Sequence, residues 1–183
     1  LRLGFIIDSQ KFDVDSSRQR ISDKDKTKGQ LIRAFSELVT VLKDLKESNP
    51  AKFDFIYKSI AATKYLEGED FKFIKEAFQE VFVPFFEEFV LTSTGEYEKK
   101  EDVRYFAEEF KIPLKEIGIS KYKWIDQDIK KDLHRHKVDV EPINFSTLLS
   151  DADTTQLSAW IKSLSSNDYK DFSKLCDSHK TET

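Results

Sequence analysis

Apolar residues recur along this chain at helical spacing, and the recurrence changes phase in ways that divide it into elements. Leu31, Ala34, Phe35, Leu38, Val41, Leu42 and Leu45 follow the three- and four-residue steps of one helix face. Arg33, Glu37, Lys43, Asp44 and Lys46 lie mostly off that face, so the pattern predicts a helix from about Thr27 to Glu47. Asn49 and Pro50 then suit an N-cap and a first helical position. A second helix is expected over 50–66, with Phe53, Ile56, Tyr57, Ile60 and Ala61 inward and Gly68 as its C-terminal signal. So short a connection makes the two an antiparallel hairpin.

The densest apolar stretch is Phe71 to Leu91, with seven of the chain's 16 phenylalanines. Phe71, Ile74, Ala77, Phe78, Val81, Phe82, Phe85 and Phe89 share one arc. Past Phe82 the separation of faces smears: Val83, Phe86 and Val90 fall on the side that Lys72, Lys75, Glu76 and Gln79 occupy earlier. Pro84 lacks an N–H and crowds the preceding turn. Two readings follow. A helix bent at Pro84 buries both halves. A helix that runs on leaves Phe86 and Val90, with Val83, exposed for a partner.

Beyond the loop Thr92–Gly95, the spacing of Val103, Phe106, Ala107 and Phe110 predicts a helix over 96–110, stopped at Ile112-Pro113. Leu114, Ile117 and Ile119 form an apolar cluster, and a helix over 120–136 presents Trp124, Ile125, Ile129 and Leu133. Val138 to Pro142 alternates and reads as extended. It is expected to pair with the imperfect alternation near the start, residues 3–8 with 137–141. Two helices, about 153–164 and 168–177, complete the pattern; Ser166-Asn167 is the expected cap of the second. The fold class expected is all-α: a single helical domain of six to seven helices in antiparallel hairpins, with a minimal two-stranded β element. Residues 1–29 form an extended arm and polar loop, 30–177 the helical domain and 178–183 a frayed tail.

Composition agrees with helices. Of 183 residues only five are Gly and four Pro, too few for a turn-rich all-β fold. The chain is long enough for a real core, burying roughly 70% of the surface its unfolded form exposes. The net charge of −4 opposes bulk attachment to nucleic acid or anionic membranes. No apolar run is long enough to span a membrane. Cys176 is the one cysteine, so no internal disulfide forms. A cytoplasmic or nuclear location is favoured on that ground, and a processed surface protein without disulfides is the alternative. The absence of methionine suggests a piece of a longer product.

Candidate chemistry is sparse. Asp128, Asp132 and His136 stand at i, i+4 and i+8, a spacing that stacks two carboxylates and an imidazole for a divalent ion. Lys130, Lys131 and Arg135 compete for those carboxylates, so a solvated ion-pair face is the stronger reading. Glu76/Glu80 and Glu87/Glu88 are paired carboxylates that fall on an outer helix face. Cys176 lies on the apolar side of its helix, as a structural thiol does. No cofactor motif is present, and no cofactor is expected. Segment 101–136 loosely suggests a helix-turn-helix. Residues 111–137 carry eight Lys/Arg against four Asp/Glu, and Lys121, Lys123, Lys130, Lys131 and Arg135 would contact phosphates.

The expectation is a non-enzymatic helical module that binds another protein, as an adaptor, regulatory or surface-binding domain. A nucleic-acid-binding protein and an enzyme with a scattered carboxylate-based site are the alternatives.

Overall fold

The computed structural model describes residues 23–65, 68–106 and 122–179. Seven helices lie among them, with a two-stranded antiparallel sheet and a three-stranded parallel one. The fold is predominantly all-α. The strands expected over 3–8 lie outside the described residues. The chain divides into two compact units: residues 1–88 with 128–139, and 89–127 with 140–183.

In the first unit, α1 (Lys24–Ser48) starts where Asp23 accepts from the Lys26 N–H at 2.8 Å. Its start is three residues earlier than the apolar pattern indicates, because the cap precedes the first apolar turn. Asn49 serves two helices. Its N–H donates to the Leu45 carbonyl at 2.8 Å and closes α1; its side chain accepts from Lys52 N–H at 3.2 Å and opens α2 (Pro50–Ala61). Pro50 sits at the first turn of α2, where its missing N–H removes no intrahelical bond. A 3-10 turn over Glu69–Phe71 then leads into α3 (Lys72–Glu88). The tighter turn resets the phase, so Phe71 is exposed while Phe73 is buried, the reverse of what a continuous helix predicts.

α3 is the centre of this unit. Phe35 of α1 meets Phe78 and Phe82 at 5.8 and 5.5 Å. Phe53 and Tyr57 of α2 meet Phe85 at 6.4 and 6.0 Å. The helix runs through Pro84 to Glu88 without interruption, yet both Phe85 and Phe86 are buried. This corrects the reading that exposes Phe86 on a continuous helix. Tyr57 covers Phe86 edge-on at 5.5 Å and His136 stacks on its other side at 5.4 Å, so α3 is lined on more than one face. Val90 is also fully buried; the helix ends before it, and it lies in a strand where helical phase has no meaning. Val83 is half-buried.

α4 (Gln127–Arg135) is shorter than the helix expected over 120–136. It closes in a Schellman motif: Val138 N–H donates to the Leu133 carbonyl at 3.0 Å and Lys137 N–H to the His134 carbonyl at 2.9 Å. Lys137 takes the left-handed position with φ 68°. Leu133 and Val138, the apolar pair usual at such a stop, are both buried.

In the second unit, β1 (Val90–Leu91) and β2 (Tyr97–Glu98) pair antiparallel around a turn in which Gly95 has φ 85°. β3 (Val103–Phe106) lies between β4 (Lys123–Trp124) and β5 (Pro142–Ile143), parallel to both. The helix expected over 96–110 is therefore β2, a 3-10 turn over Lys100–Asp102 and β3 as far as residue 106; residues 107–121 lie outside the described ones. The extended segment after α4 pairs through Pro142 and Ile143 with β3, and residues 137–141 form no strand.

α5 (Phe145–Asp151), α6 (Thr154–Ser163) and α7 (Ser166–His179) follow, capped by Asn144, Asp153 and Ser165 respectively. The last cap is one residue earlier than expected. Leu148 and Ile143 anchor one apolar cluster with Trp124, Leu157 and Trp160. Phe172 anchors a second with Leu149, Ile161, Leu164 and Cys176.

Candidate functional site

The first unit carries a cavity of about 750 Å³ built from three stretches of chain. Lys64 and Tyr65 come from the segment after α2, where Ala62 and Thr63 close the helix on the Lys58 and Ile60 carbonyls. Gly68 and Glu69 come from the turn before α3; Gly68 has φ 118°, a conformation that a Cβ would strain. Lys72 and Lys75 come from the start of α3, and Arg135 from the end of α4. Among the described residues the lining thus holds four cationic side chains and one carboxylate. Among the described residues Glu69 reaches Lys72, at 3.9 Å, and its side chain is 90% exposed. In a chain of net charge −4, this is a local reversal of sign.

Tyr65 forms the aromatic wall. The Lys75 ammonium stands over its ring at 5.2 Å, a cation–π contact. The Tyr65 hydroxyl turns away to His136 Nδ1 at 2.5 Å, and burial pushes its pKa well above the usual phenol value. Tyr65 therefore adds no negative charge to the cavity at physiological pH.

Arg135 is held from one side. Its Nη2 donates to Asp132 Oδ1 at 2.8 Å, one turn back on α4. Its Nη1 is buried without a hydrogen-bond partner among the described residues. A buried N–H left without an acceptor costs free energy, roughly 1–3 kcal/mol.

His136 lies behind this wall and is completely buried. Its Nε2 is 2.7 Å from the Ala61 carbonyl, which can only accept, so Nε2 carries the proton. Nδ1 then accepts from Tyr65. Burial pushes the His136 pKa below the ordinary histidine value, and Arg135 adds to this; the Ala61 bond and Asp132 act in the opposite direction.

The metal candidate does not assemble. His136 faces the core with both ring nitrogens engaged, Asp132 pairs with Arg135, and Asp128 is exposed. No group of three or more metal-ligating side chains occurs among the described residues. The ion-pair face holds for Asp132. The apolar face of α4 offered a signal for His136: at about 100° per residue it falls about 20° from Ile129 but about 80° from Asp128.

The paired carboxylates are tied up in ion pairs. Lys28 reaches Glu76 at 2.9 Å and Glu80 at 3.9 Å. The hydrogen bond from Lys28 holds the Glu76 carboxyl below its usual range, opposite to what a general acid needs. Glu88 pairs with Lys43.

The basic residues expected on a recognition helix separate. Lys121 lies outside the described residues. Lys123 is in β4 and stands 3.5 Å from Glu96. Lys130 is partly buried, which lowers its pKa, and Lys131 is exposed. Only Arg135 joins the cavity. The first helix of a helix-turn-helix is absent as far as residue 106, where β3 stands instead.

The chain matches no family model, no curated protein and no solved structure.

Proposed function

We propose that the protein is a non-enzymatic interaction module whose first unit takes up an acidic segment of a partner protein. The observation that carries this reading is the cavity that, among the described residues, is lined by Lys64, Lys72, Lys75 and Arg135 against one carboxylate, Glu69. Cations gathered around one cavity repel one another, and an anionic guest relieves that repulsion. The depression is open, its volume about 750 Å³, and it suits one or two side chains of a docked segment. Tyr65 and the aliphatic stems of the lysines give that segment apolar surface beside the charge.

Fluorescence anisotropy with a short, labelled, Glu-rich peptide tests the reading. The expected result is binding that weakens with salt and that the double charge reversal Lys72→Glu/Lys75→Glu abolishes. A peptide with Gln in place of Glu is expected to show no binding. Equal binding by the parent and reversed proteins would place the interaction elsewhere and end the reading. A duplex oligonucleotide is the comparison for the nucleic-acid alternative; its binding in preference to the peptide favours that alternative.

A further inference from the structure

We infer that the cavity distinguishes a phosphate monoester from a carboxylate, and that its natural occupant is a phosphorylated side chain of the partner. The inference rests on the acidic-segment reading above and narrows it. Two observations carry it.

The first is charge. Among the described residues, four cations face Glu69 and the Asp132 that pairs with Arg135, a surplus of two, 4 − 2 = 2. One Asp or Glu side chain offsets one of these. A phosphomonoester carries close to two negative charges at neutral pH and presents three acceptor oxygens at one point. It is the side-chain group that answers several convergent cations at once.

The second is Arg135. Its Nη2 donates to Asp132 Oδ1 at 2.8 Å, which orients the group. An oriented guanidinium in the lining is a directional donor, suited to a tetrahedral oxyanion. Lys64, Lys72 and Lys75 act as mobile point charges around it. Tyr65 stays neutral, so it does not compete for these cations. The cavity is far larger than a phosphate group and leaves room for the residue that bears it.

The test compares two labelled peptides of identical sequence that carry phosphoserine or glutamate at the central position. The expected result is about tenfold tighter binding of the phosphopeptide, since phosphoserine brings close to two negative charges and three acceptor oxygens where glutamate brings one charge and two oxygens. Inorganic phosphate is expected to compete. Arg135→Lys keeps the charge and removes the fork, so it is expected to weaken both peptides and to reduce the preference to the part that charge alone supplies. If that variant melts at lower temperature, Lys64→Gln on the exposed segment after α2 is expected to weaken the phosphopeptide more than the glutamate peptide.

Equal affinity for the two peptides would overturn the phosphate inference and leave the acidic-segment reading standing. No binding of either peptide would overturn both. Stronger binding of a free nucleotide, or of vesicles containing a phosphorylated inositol lipid, than of the phosphopeptide would overturn the assignment to a protein partner.

Discussion

The Tyr65 hydroxyl and His136 Nδ1 are 2.5 Å apart, and this bond joins the wall of the cavity to the core of the first unit. The imidazole on its far side bonds the Ala61 carbonyl and stacks on Phe86. His136 is therefore a neutral core group. The titratable groups that act on it are Tyr65 from the segment after α2, and Asp132 and Arg135 from α4. Above the ordinary histidine pKa of about 6.5, both folded and unfolded chains hold it neutral, and it contributes no pH dependence. Below that value the unfolded chain takes a proton that the folded chain resists. Stability is thus expected to fall as pH drops from about 6.5 toward the lowered folded pKa. Denaturation midpoints from about pH 8 to about pH 5 measure the slope. In His136→Asn the slope across this window is expected to flatten. An identical slope in the variant would assign it to other groups.

Tyr65→Phe separates the hydroxyl from the ring. The ring keeps its edge-on contacts with Phe78 at 5.7 Å and His136 at 5.3 Å, and its position under Lys75. Nδ1 of His136 loses its donor inside the core. The expected cost is about 1–3 kcal/mol, the penalty for a buried acceptor left without a partner. Urea denaturation measures it. A cost near zero would mean that water or another donor replaces the hydroxyl.

The parts of the fold that sequence made legible are those set by local chemistry. The faces of α1 and α2, and the join at Asn49-Pro50, follow from side-chain spacing and capping within a few residues. β3 was not legible. Val103 and Phe106 stand three apart, a spacing that a helix face also shows, and the partners that make the segment a strand lie at 123–124 and 142–143. Four residues are too few for period alone to separate strand from helix. His136 was read against Asp128 and Asp132, although Ile129 and Leu133 place it on the apolar stripe. The cavity could not be read at all. It draws on a segment after α2, the start of α3 and the end of α4, and only packing brings Arg135 to Lys64 and Lys72.

Two phenylalanines in this unit have opposite environments and give opposite expectations. Phe86 is fully buried among Tyr57, Phe82, Phe85 and His136. Phe86→Ala is expected to cost about 3–5 kcal/mol, the sum of lost transfer energy and the cavity left behind. Phe55 on α2 is 73% exposed, so Phe55→Ser is expected to change stability by no more than about 0.5 kcal/mol. Thermal and urea unfolding of the two variants, side by side, check this. A mild effect at Phe86 would contradict the placing of α3 at the centre of the unit.

Lys137 is the one described non-glycine residue with positive φ, and its conformation closes α4. The left-handed region brings Cβ close to the following carbonyl, which costs an L-residue about 1–2 kcal/mol that glycine does not incur. Glycine also has more freedom to lose on folding, which offsets part of the gain. Lys137→Gly is therefore expected to stabilise the protein by about 0.5–1 kcal/mol. For a chain of this size that is a rise in Tm of about 1–4 °C. Lys137→Val, branched at Cβ, is expected to lower Tm, because the crowding at the left-handed position grows. The two changes act on an exposed side chain, so lost packing does not obscure the comparison. If glycine and valine shift Tm in the same direction, the positive φ of Lys137 does not set the energetics of this position. If they diverge, the left-handed stop at Leu133–Val138 carries the strain that glycine relieves.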